Sequence, residues 1–119
     1  MVSSPPLKRP PPRPARPGLF HDKINGREVW QHDFTAAQYE ALAHLTATLS
    51  QVLPAIRLEY PRSDSGELAK GKLTAEALHA HQGVVGHFHV QDNKQDPGPA
   101  MDWDHLMDRA RQLLGSKPR

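Results

Sequence analysis

Residues 86–99, GHFHVQDNKQDPGP, gather His87, His89, Lys94 and Asp96 within ten positions and follow them with two prolines. Imidazole nitrogen and carboxylate oxygen both ligate zinc, and a catalytic zinc centre keeps one position open for water. A lysine placed beside that open position supplies a fixed positive charge for an oxyanion as it develops. The run VVGHFHV is β-branched and aromatic, which predicts a strand. On a strand, His87 and His89 point the same way and Phe88 the other. Asp96 follows His87 by nine residues, far enough for the chain to turn and return a carboxylate beside it. Pro97 and Pro99 fix φ around Gly98, so a ligand held there needs little reorganisation. His89 reads as a solvent-facing neighbour of the pair.

The elements that must position these groups can be read from periodicity and capping signals. In DFTAAQYEALAHLTATLSQVLP, Thr35 and Gln38 have capping-box spacing, and Phe34 and Tyr39 the spacing of a hydrophobic staple. Tyr39, Leu42, Leu45, Leu49 and Val52 form an apolar stripe expected to face the core, with His44 off it and solvated. Pro54 ends that helix. Arg27–Gln31 after the turn-like Asn25-Gly26 predicts a short strand, and Ile56, Leu58 and Tyr60 alternate as a second. Residues 62–72 read as an exposed loop. A short helix starts at a Thr74 cap and ends at Gly83; His79 and His81, two apart, lie on different faces of it. Asp102 caps a last helix with Trp103, Leu106, Met107, Ala110 and Leu113 on one face. The predicted order, strand and helix alternating three times, gives an α/β fold, a small mixed sheet flanked by helices.

Composition narrows the chemistry further. There is no cysteine among the 119 residues, which excludes disulfides and thiolate zinc sites. The net charge of +2 is unevenly spread. Residues 1–17 carry four basic groups, no acid and seven of the twelve prolines, and the rest holds 11 Lys+Arg against 13 Asp+Glu. The basic character therefore belongs to a Pro/Arg-rich tail, expected to be a solvated polyproline II segment that a partner domain can bind, and no nucleic-acid-binding domain is inferred. The expected organisation is a tail at 1–17, a folded domain at 18–115 and a C-terminal tail at 116–119. With no apolar run of membrane-spanning length and no leader, the chain reads as cytoplasmic, or as periplasmic or cell-wall associated if its start is truncated.

Residues 83–106, GVVGHFHVQDNKQDPGPAMDWDHL, resemble the C-terminal signature of the zinc-dependent N-acetylmuramoyl-L-alanine amidases, the family related to peptidoglycan recognition proteins. The shared pattern is Gly-His, a short loop, Lys, one residue, Asp-Pro-Gly-Pro, an apolar position and an Asp-Trp pair. FTAAQYEALAHLTATL is similar to that family's helix, and the likeness extends over roughly residues 18–114. The resemblance implies hydrolysis of the amide between the lactyl group of N-acetylmuramic acid and L-alanine of the stem peptide, with peptidoglycan or a muropeptide as substrate. It makes His87 and Asp96 Zn²⁺ ligands and Lys94 the catalytic residue supporting the tetrahedral intermediate. Two departures stand out. The loop from His87 to Lys94 is one residue shorter than in many members. The front of the domain, which in the family carries another zinc histidine and a glutamate acting on water, has no clear counterpart; His21, His32 and Glu28 lie there in a different context. The expectation is the C-terminal half of an amidase domain, active, impaired or reduced to a muropeptide-binding module, with an apolar face left uncovered.

Overall fold

The computed structural model describes residues 13–115. Its elements run β1 (Leu19–Ile24), β2 (Arg27–His32), α1 (Ala36–Val52), α2 (Ala75–Ala80), α3 (His87–Val90) and α4 (Trp103–Gly115). β1 and β2 form a two-stranded antiparallel hairpin, with Leu19 opposite His32 and Ile24 opposite Arg27. Its two-residue turn is Asn25-Gly26, at φ 50° and 77°, the left-handed pair such a connection requires. The α/β class is as expected, but the sheet is antiparallel rather than mixed and the three-fold alternation of strand and helix is absent.

Two predicted strands are not strands. Residues 56–60 bend at Leu58 and share only two backbone hydrogen bonds with 82–84, Arg57 N to Gln82 O at 2.6 Å and Val84 N to Glu59 O at 2.8 Å. Residues 87–90 of the predicted VVGHFHV strand are instead the single-turn helix α3. A strand needs a neighbour to take its N–H and C=O groups. Here Gly86 N–H bonds the His89 ring, His89 N–H bonds Gly86 O, Phe88 N–H bonds Asp96 O, and Phe88 O and His89 O accept from the Asn25 side chain and Leu73 N–H, so the β propensity of the segment is overridden. Conversely, β1 escapes the sequence patterns and forms because β2 folds back on it.

The core lies between α1 and α4, closed at one end by Ile24, Tyr60 and Phe88. Thr35 and Gln38 make the predicted capping box, each side chain bonded to the other's backbone N–H at 3.0 and 2.8 Å. Phe34 and Tyr39 meet edge to face at 5.9 Å, as the staple requires. Thr74 caps α2 through Ala77 N at 3.1 Å, and Asp102 caps α4 through His105 N at 3.1 Å. The buried face of α4 is the predicted one, with Trp103, Leu106, Met107 and Ala110 inside. The buried face of α1 is so only in part: Tyr39 is buried and Leu42 packs on the core, but the other buried positions are Ala43, Thr46 and Ala47. Small side chains there let α4 approach closely, and the larger residues are turned outward, Leu45 at 55%, Leu49 at 43% and Val52 at 70% exposure.

Residues 14–16, assigned by composition to the tail, are docked on the domain. Pro14 bridges Thr35, and Arg16 grips the buried Asp33 through its backbone N–H at 3.1 Å and Nε at 2.9 Å. The rest of the predicted tail, residues 1–12, and the C-terminal tail at 116–119 lie outside the described residues.

Candidate functional site

Gly86 begins α3 and makes room for the segment that follows. A Cβ at Gly86 would lie 2.7 Å from Pro97 Cδ, so only glycine lets the start of α3 pack on the proline turn. Phe88 N donates to Asp96 O at 3.1 Å, which ties the far side of the loop to the first turn of α3. Asp96-Pro97 is a cis peptide and Gly98 has φ 92°. The DPGP stretch lies at the return of the loop toward α3, shown by the Phe88–Asp96 bond.

That return brings the two sequence-predicted ligands together. His87 Nδ1 is 3.2 Å from Asp96 Oδ2, and His87 Nε2 is 2.8 Å from Gln91 Oε1. Both side chains are accessible, 43% and 67% exposed, at the edge of an apolar hollow of about 210 Å³ walled by Leu42, Val85, Met101 and Trp103. Lys94 lies two residues before Asp96 on the same loop, half-buried, with its carbonyl oxygen accepting from Asn25. Among the described residues its ammonium forms no ion pair with Asp96 or any other acid. His87 and Asp96 therefore lie in contact, and the lysine shares the loop without an ion pair to either.

His89 has a different environment from the one its spacing suggests. Helical geometry turns it away from His87, and it is wholly buried. Gly86 N–H donates to its Nδ1 at 2.8 Å, so Nε2 carries the proton and donates to Ala69 O at 2.8 Å. Burial pushes the imidazole pKa down, opposed by the bond to Ala69 and aided by nearby His81. Both ring nitrogens are used, and His89 is a structural histidine rather than a solvent-facing one.

Among the described residues, no histidine or glutamate of the front of the chain joins the pair. His21 is stacked on Trp30 with ring centroids 4.5 Å apart and is bonded to Glu28 on the outer face of the hairpin. His32 Nδ1 is 3.3 Å from Gly18 O. His79 is exposed on α2, and His81 Nε2 is 3.3 Å from Val84 O. Among the described residues no group of three His, Asp or Glu side chains converges closely enough to hold a metal ion. His87 and Asp96 fit two places in the donor set of a zinc site, and among the described residues no third His, Asp or Glu accompanies them; a metal held there would have its remaining positions filled from elsewhere.

No family model, curated protein or solved structure matches this chain. The site must stand on its own geometry.

Two residues that the sequence patterns pass over reach this segment from the hairpin. Asn25 bonds three carbonyls between 88 and 94, and Gln31 bonds Pro97 O and Ala100 N. Asn25 reads in sequence only as a turn residue and Gln31 only as the end of a strand. No local pattern signals a partner more than sixty positions away.

Proposed function

We propose that the chain is a unit of the N-acetylmuramoyl-L-alanine amidase type, directed at peptidoglycan or muropeptides, in which His87 and Asp96 are two of the zinc ligands. The observation that supports this reading is the 3.2 Å approach of His87 Nδ1 to Asp96 Oδ2 across a loop whose sequence is also the amidase-like one. Zinc, when bound, would polarise the lactyl carbonyl and acidify a water. On this chain His87 and Asp96 would hold the ion, and Lys94, on the same loop, would approach the carbonyl oxygen as it becomes negative. With two protein donors the site is half of a catalytic centre, so hydrolysis by this chain depends on a further ligand and a base contributed from outside the described residues.

The incomplete donor set favours one second reading, a muropeptide-binding module without catalysis. Calorimetric titration of zinc into the full-length chain, followed by incubation with muropeptide and separation of products, tests both. Weak zinc uptake that is lost in His87→Ala and in Asp96→Ala supports the amidase-type site. Muropeptide binding without cleavage, unchanged by chelator, supports the binding module. Tight stoichiometric zinc with turnover would show a complete site and a third ligand drawn to the pair. Absence of both zinc and muropeptide binding would reject the proposal.

A further inference from the structure

We infer that Asn25 and Gln31 are positioning residues, a two-point clamp by which the β1–β2 hairpin fixes the loop carrying His87, Lys94 and Asp96. This rests on the reading of that loop as the working site, but the clamp itself is a matter of geometry. Asn25 Nδ2 lies 2.9 Å from Phe88 O, 3.1 Å from Gln91 O and 2.9 Å from Lys94 O. Carbonyls at the end of a helix have no partner within it, and a four-residue helix is nearly all end. The two Asn25 N–H bonds are shared among these three oxygens, closing α3 and the turn after it. Its Oδ1 accepts from Lys72 N at 2.7 Å, and its own N–H donates to Lys70 O at 3.0 Å. The backbone and the carboxamide of Asn25 are thereby each held by residues 70–72 before the side chain touches the loop.

Gln31 does the same at the far end. Its Nε2 donates to Pro97 O at 2.9 Å, and its Oε1 accepts from Ala100 N at 2.9 Å. Proline has no N–H, so in Pro97-Gly98-Pro99-Ala100 the groups bound by Gln31 are among the few through which the turn can be held. Gly98 makes this possible, because a Cβ there would collide with the Gln31 amide. Asp96 sits between the two anchor points, His87 directly before the first, and Lys94 is itself an anchor. The His87–Asp96 separation, held locally by the Phe88 N–H bond to Asp96 O, is thus further fixed by two side chains of an element far away in sequence. Neither is part of the apolar core between α1 and α4.

Asn25→Gly is the clean variant, because glycine accepts φ 50° and only the carboxamide is lost. Asn25→Asp keeps the acceptor for Lys72 N and removes the donors; Gln31→Glu keeps the acceptor for Ala100 N and removes the donor to Pro97. The full-length chain is compared with each by ¹H–¹⁵N spectra of the backbone and the histidine rings, then by titration with zinc alone. The clamp predicts that His87 ring signals and the amides of 87–100 shift in all three variants while those of α1 and α4 stay in place. It also predicts that zinc affinity falls about 10–100-fold, the usual cost of losing groups that orient ligands. Unchanged loop and His87 signals in Asn25→Gly and Gln31→Glu would overturn it, whatever happens to thermal stability. If the parent chain takes up no zinc, the amidase reading fails and the spectra alone judge the clamp. If Asn25→Gly does not fold, Gln31→Glu decides.

Discussion

His87 and His89 stand two positions apart and have opposite fates. One is at the surface with a carboxylate at 3.2 Å; the other is sealed in the core with both nitrogens bonded to backbone. Replacing His89 with alanine leaves Gly86 N–H and Ala69 C=O unpaired beside a new cavity, an expected loss of about 2–4 kcal/mol measurable by urea unfolding. The same burial gives a pH dependence. The folded-state pKa of His89 lies below its ordinary 6.5, so in mildly acid solution the unfolded chain takes up a proton that the folded chain refuses. Stability is therefore expected to fall as pH drops below about 6.5 and to level off beneath the folded pKa. The urea midpoint should decline between pH 7.5 and pH 5 in the parent and stay nearly flat in His89→Gln. A separate acid loss begins lower. Burial alone would raise the Asp33 carboxyl, but hydrogen bonds from Arg16, Tyr39 and the Phe34 N–H hold it below 3.8, so its contribution is present above that pH and is lost as it protonates. Burial and the Asp33 hydrogen bond push the Tyr39 hydroxyl the other way, to about 12.

At the scale of elements, caps were more legible than faces. Thr35, Thr74 and Asp102 each accept the backbone N–H that their position before a helix predicts, because capping depends on residues three apart and little else. Thr35→Ala should accordingly cost about 1 kcal/mol, read as a shift in the thermal midpoint, with the α1–α4 packing retained. Which side of α1 is buried was less legible. Leu45, Leu49 and Val52 outweigh Ala43 and Ala47 on any hydropathy scale, yet the alanines face α4 because close helix packing rewards small side chains. The histidine segment shows the same limit. Val84, Val85 and Phe88 favour a strand, but no neighbouring strand offers the hydrogen bonds, and Gly86 instead bonds the ring of His89. His87 and Asp96 nevertheless lie 3.2 Å apart, because the loop after α3 turns back and Phe88 N–H bonds Asp96 O. The supports of the pair were not legible, since Asn25 and Gln31 act through contacts 63–69 residues distant.

Across the whole molecule, the apolar surface is arranged unusually for so small a domain. Leu42, Leu45, Leu49, Ile56 and Val84 line a hollow of about 260 Å³ on the outside of α1. Leu42 and Val84 also line the hollow that reaches His87 and Asp96. Leu53 and Val52 extend the exposed strip at 51% and 70% accessibility. Contiguous apolar surface of this kind binds hydrophobic probes and adds little to the stability of the fold. Leu45→Ser with Leu49→Ser is expected to lower the fluorescence of an apolar dye bound to the native protein. The unfolding free energy should change by less than about 1 kcal/mol, since surface substitutions usually cost within about 0.5 kcal/mol each. An equal loss of stability and dye binding would place those leucines in the core instead.

The clamp has a consequence for how the loop comes into being. Phe88, Gln91, Lys94, Pro97 and Ala100 all meet hairpin atoms made at least sixty residues earlier in synthesis. A synthetic peptide copying 83–106 would contain every chemically interesting group and the Phe88–Asp96 backbone bond, but neither of the two hairpin side chains that clamp the loop. Such a fragment should show two independent, freely rotating side chains where the intact chain shows a pair, and grafting this stretch into another scaffold would demand that the hairpin travel with it.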